Sequence, residues 1–372
     1  MRLLHGVAEL RAALAGLRPV ALVPTMGNLH DGHIALVEQV RAGGHPSVAS
    51  IFVNPLQFGA GEDFQRYPRT LDADCARLEA AGCDLVFAPD VGAMYPEPQT
   101  FQVQPPLADE LCGAFRPGHF AGVATVVLKL FNLVQPAVAI FGKKDYQQLF
   151  LLKAMVRQFN LPIRILEAET ARAADGLALS SRNAYLAAAE RDEAPRLYRL
   201  LDAAAARIAA GARDFAAQEG AVTAELAAHG WQVEYVLVRD RATLQAPTEA
   251  TRGLVILAAA RLGRTRLIDN IEVHPAPPRR HRARLTRHAG AARRPGTECY
   301  DEAQRLTRSP RPHAGVGLVV PSVRELTWPA FHVTGRPVGR GGYRAPFARS
   351  ITTRATSAMR VLCVMASRRR AW

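Results

Sequence analysis

The sequence predicts an α/β protein with a central parallel sheet, because short apolar runs rich in β-branched residues alternate with helix-length segments. The runs cover residues 20–23, 48–53, 85–88, 137–141 and 163–166. The segment before the first run is predicted to be an amphipathic helix that leads into a buried strand. It contains no apolar stretch long enough to span a membrane.

The pattern changes after about residue 185, where two alanine-rich helical segments, 188–211 and 215–229, precede three strand-like ones. The strand-like segments are WQVEYVLV, GLVILAAA and TRLIDNIEV. We therefore expect a first domain over residues 1–175 and a smaller α+β lid domain over residues 176–273.

Residues 274–372 differ in composition from the rest and carry the positive charge. They contain 20 arginines, no lysine and four acidic residues, whereas the first 273 residues hold 27 basic and 29 acidic side chains. A segment rich in arginine, proline and glycine cannot readily bury a core, so we expect this tail to be disordered. Its composition also fits out-of-frame translation of a GC-rich gene.

The five cysteines are widely spaced and form no C-x-x-C pair. Their pattern indicates neither a zinc site nor a disulfide framework. Together with the lack of a membrane-spanning stretch, it favours a reducing, cytoplasmic location.

Ligands of parallel α/β sheets bind beyond the carboxyl ends of the strands, so the residues after each run are the candidates for chemistry. The first run leads into PTMGNLHDGHIALVEQV, where His30 and His33 are expected to share one face of a helix. The free N–H groups and positive dipole of a helix N-terminus favour an anion such as a triphosphate. The alternative is an ordinary capped helix, with Asn28 and Asp31 as turn and capping residues.

Four further segments follow the same logic. IFVNPLQFG carries the amides Asn54 and Gln57, and FGKKDYQQL carries two lysines that could neutralise phosphate charge. ADGLALSSRN offers hydroxyls and Arg182 to phosphates, and FRPGHFAGV adds Arg116 and His119. Each segment alone could be a plain turn, loop or solvated surface.

Five motifs occur in an order and spacing that closely resemble the pantothenate synthetase family: PTMGNLHDGH, IFVNPLQFG, RPGHFAGV, FGKKDYQQL and LSSRN. The resemblance covers about residues 1–273 and implies a Rossmann-like fold with a smaller C-terminal domain. It implies that pantoate and ATP form an enzyme-bound pantoyl adenylate, which β-alanine attacks to give pantothenate and AMP. It further implies a homodimer, and Mg²⁺ as the ion that accompanies ATP.

The resemblance also assigns roles to individual positions. His33 would be the proton donor, with His30, Lys144 and Arg182 as the other catalytic residues, and Asp74 would serve Mg²⁺. The substrate site would comprise Gln57, Gln148, Asn54, Arg116 and His119. The ATP site would be lined by Met26, Gly27, Asn28, Leu29, His30, Asp31, Gly32, His33, Gly142, Lys143, Lys144, Asp145, Ala171, Leu179, Ser180, Ser181 and Arg182.

The chain departs from the family pattern in two places. Lys143 stands where the family usually has Glu, and the chain continues for 99 residues beyond residue 273. Two other functions stay open at this point: another adenylyltransferase of the same fold, or nucleic-acid binding through the arginine-rich tail. Because the tail lacks interleaved aromatic residues, we do not expect a nucleic-acid partner. We expect no membrane partner either, since the N-terminal segment contains no apolar stretch long enough to span a membrane.

Overall fold

A six-stranded parallel sheet forms the larger part of the protein, in a computed structural model that describes residues 1–273. The strand order is β1-β4-β3-β2-β5-β6, and every neighbouring pair is parallel. The strands are β1 (Arg2–Leu4), β2 (Ala21–Thr25), β3 (Ser47–Ile51), β4 (Leu85–Phe87), β5 (Val138–Gly142) and β6 (Arg164–Ala168). This sheet confirms the predicted fold class.

Helices cover both faces of this sheet because each presents an apolar stripe to it. They are α1 (Val7–Leu14), α2 (Asp31–Ala42), α3 (Leu71–Ala80), α4 (Val91–Met94), α5 (His119–Val134) and α6 (Tyr146–Gln158). One buried cluster includes Leu10, Phe87 and Phe131, and another includes Val23, Val37 and Leu78. Two apolar layers therefore hold the sheet between them.

A smaller antiparallel sheet follows, in the order β7-β8-β9. Its elements are α7 (Ala188–Glu193), α8 (Arg196–Ala209), α9 (Phe215–Ala228), β7 (Gln232–Asp240), β8 (Leu254–Leu262) and β9 (Thr265–Val273). Its own core includes Leu201, Leu226 and Trp231. The second, smaller α+β region is therefore present, whereas the predicted boundary at residue 175 stays a prediction.

Two local expectations were wrong. The first residues, Arg2–Leu4, form an edge strand paired with β4, and the helix begins only at Val7. The single helix predicted over 188–211 is divided into α7 and α8 around Pro195, which lacks the N–H that a helix interior requires. The predicted tail, residues 274–372, lies outside the described residues.

Within residues 1–273, no helix is both long and apolar enough to cross a membrane. The same part of the chain contains three cysteines, at positions 75, 83 and 112, and all are free thiols.

Candidate active site

The strand order changes direction at β2, which lies between β3 on one side and β5 on the other. The connections that follow β2 and β5 therefore leave the sheet in opposite directions, and a crevice opens between their first residues. The β2 connection contains His30 and His33, and the β5 connection contains Lys144. The topology thus brings together two segments that are more than 100 residues apart in sequence.

His30 and His33 lie in contact at the N-terminus of α2. The sequence analysis placed His30 within the helix. In the structure it is instead the N-cap residue and has an extended backbone. The two rings still stack, with centroids 4.0 Å apart. The N–H of His30 donates to Nδ1 of His33 at 3.3 Å, so the proton of a neutral His33 ring lies on Nε2.

Burial is the main reason that both imidazoles resist protonation. Together with the nearby positive charge of Lys144, it lowers the pKa of His33 to about 3 and that of His30 to about 4. Both rings are therefore neutral at neutral pH.

A buried carboxylate holds the turn that leads into α2. Asp74 accepts hydrogen bonds from the N–H groups of Asn28 at 2.9 Å and Leu29 at 2.8 Å, and from the Thr70 hydroxyl at 3.1 Å. The turn needs such support because Gly27 and Asn28 both have positive φ. These contacts favour a bracing role for Asp74 over the predicted role at Mg²⁺.

The amides after β3 form a buried cluster. Asn54 donates to Gln57 Oε1 and to the Gly122 carbonyl, both at 3.1 Å, and its own oxygen accepts from the Leu56 N–H and the Tyr95 hydroxyl. All four hydrogen-bonding positions of this amide are thus used within the protein. Asn54 therefore orients Gln57, whose Nε2 lies 3.0 Å from Met26 Sδ.

Glycine at position 122 permits helix α5 to approach this cluster. A Cβ atom built on Gly122 would lie 2.2 Å from the Leu56 carbonyl oxygen, which is far inside van der Waals contact. The close approach lets His119, at the start of the helix, donate from Nδ1 to the Gln57 carbonyl at 2.8 Å. The segments RPGHFAGV and NPLQFG are joined in this way.

Arg116 and His119 form a pair beside these amides. Nη1 of Arg116 lies 2.9 Å from Nε2 of His119, which accepts the hydrogen bond because its Nδ1 is the donor to Gln57. Burial, followed by the positive charge of Arg116, lowers the pKa of His119 to about 4. Arg116 also binds both carboxylate oxygens of Glu62, at 2.8 and 2.6 Å.

The two adjacent lysines after β5 have different surroundings. Lys144 lines the crevice next to Asp145, with 3.9 Å between Nζ and Oδ2. Lys143 extends elsewhere and forms ion pairs with Glu169 at 2.5 Å and Glu272 at 3.1 Å. Only Lys144 therefore presents its ammonium group to the crevice.

The segment after β6 completes the site. The Ser181 hydroxyl donates to the Asn28 carbonyl at 3.0 Å, and the Leu179 N–H donates to the Ala171 carbonyl at 2.9 Å. Ala171 in turn lies against the first turn of α2, since a Cβ atom on Gly32 would lie 3.3 Å from its own Cβ. The predicted loop is thus attached directly to the histidine turn.

A cavity of about 490 Å³ is lined by residues of three of these segments, whereas the histidine turn and the amides Asn54 and Gln57 do not belong to its wall. Its wall includes Arg116, Lys144, Asp145, Ser180 and Arg182. A smaller space of about 40 Å³ shares Arg116, Lys144 and Asp145 with it and adds His119 and Gln148. Desolvation opposes ionisation of Asp145, whose side chain is nonetheless half-exposed, and the positive charges of Lys144 and Arg182 outweigh it and hold the pKa of this carboxyl below its usual range.

The sequence analysis missed several residues of this cavity. Glu62 and Asp63 pair with Arg116 and Arg182, and Asp269 also lines the cavity. A possible signal was present in the acidic pair that closely follows NPLQFG and in the polar Asp-Asn pair of β9. Neither is distinguishable from an exposed turn or strand without the fold.

The chain matches the model of the family described as pantoate-beta-alanine ligase over residues 2–272. The chain belongs to this family. A pantothenate synthetase from Thiobacillus denitrificans is 63% identical over 278 residues, which is 74% of this chain and 98% of that protein. One from Chromobacterium violaceum is 58% identical over 73% of this chain and 99% of its own length.

Solved structures of pantoate-beta-alanine ligases have the same architecture. The pantothenate synthetase of Thermus thermophilus is 48% identical, with a TM-score of 0.70, over 74% of this chain and 100% of that one. The Francisella tularensis ligase, described in complex with β,γ-ATP and β-alanine, is 32% identical, with a TM-score of 0.63. That match covers 73% of this chain and 97% of that protein.

Proposed function

We propose that this chain condenses pantoate with β-alanine at the expense of ATP, through a pantoyl adenylate, and releases AMP and pyrophosphate. The observation that carries the proposal is one cavity lined by Arg116, Lys144 and Arg182, which come from three of the five motif segments. The other two segments are tied to these by the hydrogen bonds from His119 to the Gln57 carbonyl and from Ser181 to the Asn28 carbonyl. Family membership and the ATP analogue and β-alanine of the Francisella ligase support the same reaction.

The nucleotide would bind with its phosphates at the N-terminus of α2. The first turn of α2 would supply the positive end of the helix dipole, while Lys144 and Arg182, which line the cavity, would supply full positive charges. The Ser180 and Ser181 segment contacts the turn that leads into α2 and would close one side of the site. Pantoate would lie beside Gln148, Arg116 and His119.

In the first step, a carboxylate oxygen of pantoate attacks the α-phosphorus, and the bond from that phosphorus to the pyrophosphate oxygen breaks. Both reactants are anions, so the main tasks are alignment and neutralisation of charge. Lys144 and Arg182 reduce the repulsion. His33 is neutral at neutral pH, so its contribution would be a hydrogen bond from Nε2 to a phosphate oxygen.

In the second step, the uncharged amine of β-alanine attacks the acyl carbon of the adenylate. The new C–N bond replaces the C–O bond to AMP, which leaves as the nucleotide anion, and the amine loses a proton to solvent. The enclosed cavity would hold the adenylate away from water until the amine arrives.

The described residues offer few side-chain ligands for Mg²⁺. Among residues 1–273, no group of three or more His, Cys, Asp or Glu side chains could hold a metal ion, and Asp74 is engaged by backbone amides. Mg²⁺ in phosphoryl transfer is commonly held by substrate phosphates, water and one or two carboxylates. The described residues therefore do not fit a magnesium cage made of protein ligands.

The decisive experiment is isotope exchange between ATP and pyrophosphate. We expect exchange that depends on pantoate and does not need β-alanine, together with AMP and pantothenate once β-alanine is added. Exchange without pantoate, or a product that keeps the nucleotide, would instead identify another adenylyltransferase of this fold.

We also propose a homodimer in the cytoplasm, as the family resemblance implies. The three free cysteines of the described part suit a reducing compartment. Light scattering after size-exclusion chromatography should give twice the chain mass of 40.4 kDa.

A further inference from the structure

Strand β9 of the smaller sheet makes an unusual contact with the loop that carries Lys144. The side chain of Asn270 is buried, and its Nδ2 donates to the carbonyl oxygens of both Lys143 and Lys144, each at 2.9 Å. Both protons of one amide group are therefore directed at two consecutive peptide groups.

These two peptide groups flank the Cα atom of Lys144. The Lys143 carbonyl belongs to the peptide before this atom, and the Lys144 carbonyl belongs to the peptide after it. Holding both fixes the direction in which the Lys144 side chain leaves the backbone. Since lysine has a flexible four-carbon stem, a fixed starting direction restricts where its ammonium group can reach.

Asn270 is itself rigidly held. Its N–H donates to Asp269 Oδ1 at 2.7 Å, and Asp269 binds Arg172 through two hydrogen bonds at 2.6 and 2.8 Å. The Arg172 guanidinium lies 3.9 Å from the centre of the Tyr198 ring. Asn270 is thus anchored to the segment that leads into the Ser180 to Arg182 loop.

A second contact ties the same loop to β9. Lys143 pairs with Glu272, which also accepts from the Tyr146 hydroxyl at 2.8 Å. The residue before Lys144 and the residue after Asp145 are therefore both attached to one side chain of the strand. This arrangement gives Lys143 a structural partner where the family usually has Glu.

We propose that Asn270 is a positioning residue for Lys144, through which the smaller sheet sets the location of the positive charge in the cavity. This inference rests on the proposed function, because it assigns importance to Lys144 in nucleotidyl transfer. It adds that β9 takes part in building the ATP site. Asn270 and Asp269 of this strand connect the Lys144 loop, through hydrogen bonds, to Arg172 at the start of the segment that ends at Arg182.

The test is a double-mutant cycle on the full chain with Asn270→Leu, Lys144→Ala and the double variant. Leucine has the same branched shape and number of side-chain heavy atoms as asparagine and carries no charge, and it removes both donated hydrogen bonds. We expect Asn270→Leu to lower kcat for pantoate-dependent ATP–pyrophosphate exchange by about 10- to 100-fold, as misplacement of a reacting group does. In the Lys144→Ala background the same substitution should have almost no further effect.

Gln147→Met is the matched control. Gln147 is equally buried and also donates from one amide nitrogen to two carbonyls, those of Leu107 and Glu110, both at 2.9 Å. Its bonds hold a different loop, so its effect should add to that of Lys144→Ala. Thermal unfolding of every variant tests whether the variant is folded. If Asn270→Leu does not fold, Asn270→Ser, whose side chain keeps one hydrogen-bond donor, takes its place.

ATP affinity, measured by titration calorimetry on the same four proteins, decides the question if turnover of Lys144→Ala falls below detection. Non-additive losses in either cycle support the proposal. Additive losses, or an Asn270→Leu variant with wild-type kcat and ATP affinity, would overturn it. Failure of the wild-type chain to catalyse pantoate-dependent exchange would instead refute the proposed function, and the affinity cycle would still report on Asn270.

Discussion

Arg182 and Asp63 form a two-point ion pair at the wall of the cavity, with 3.1 Å between Nε and Oδ2 and 3.0 Å between Nη2 and Oδ1. Burial opposes the charge of Arg182, but Asp63 outweighs it and raises the pKa of the guanidinium. The group that we assign to phosphate binding is therefore already occupied by a carboxylate. A phosphate must either displace Asp63 or bind beside it.

We predict that Asp63→Asn strengthens ATP binding about 3- to 10-fold, because the variant keeps the shape of the side chain and removes a competing negative charge. Titration calorimetry with ATP would measure the change. Asp72→Asn removes the same charge from an exposed position in the first turn of α3 and should leave the affinity near that of the wild type. Weaker binding by Asp63→Asn would mean that the carboxylate holds Arg182 in its productive orientation.

His33→Ala should reduce adenylate formation about 10²- to 10³-fold, the usual effect of removing one preorganised hydrogen-bond donor from a reacting phosphate. The fold should persist, since the contacts of the His33 side chain are with its neighbour His30, by ring contact and by the hydrogen bond from the His30 N–H. Pantoate-dependent exchange and circular dichroism would be measured together. His45→Ala, in the loop before β3 at the other end of the sheet, serves as the control. A folded His33→Ala enzyme with normal exchange would remove His33 from the mechanism.

Stability should fall as the pH drops from about 6.5 towards 4. The pKa values of His30 and His119 are about 4 and that of His33 is about 3, whereas unfolded histidine titrates near 6.5. In this window the unfolded chain binds more protons than the folded one, so protonation favours unfolding. Urea unfolding at several pH values would measure the slope.

His119→Asn should make this dependence shallower. Removal of one such histidine lowers the slope by up to about 1.4 kcal/mol per pH unit, which is the contribution of one proton. Parallel stability profiles for the two proteins between pH 5 and 7 would contradict the burial of a neutral His119.

Gly122→Ala should destabilise the protein by about 1 to 3 kcal/mol and weaken pantoate binding, because its Cβ would displace the Leu56 carbonyl beneath the amide cluster. Chemical unfolding and the KM for pantoate report the two effects. Gly220→Ala is the control: it lies inside α9 with no heavy atom within 4 Å of a new Cβ, and should stabilise by about 0.5 to 1 kcal/mol. Equal stability and equal KM for pantoate in the two variants would show that α5 can move away from Leu56.

The sequence was sufficient to predict elements whose signal is local. Runs of apolar residues located five of the six strands of the larger sheet, and the predicted tight glycine turn after β2 is present at Gly27. The roles assigned to the site residues stay predictions. Strand β1 was missed because three residues are too few for a periodic signal. Individual side-chain directions were also beyond reach, since Lys143 and Lys144 are adjacent and identical yet have different partners.

The order of apolar runs and helical segments determined by itself that this is a parallel α/β protein, and it led us to expect the site residues just after the strands. Only the tertiary structure decided which polar groups face the cavity and which brace it, as for Asn54, Asp74 and Asn270. The physical reason is that hydrogen-bond partners of a buried polar group come from any part of the chain. Here they lie as far apart as Lys144 and Asn270, and sequence spacing carries no record of that pairing.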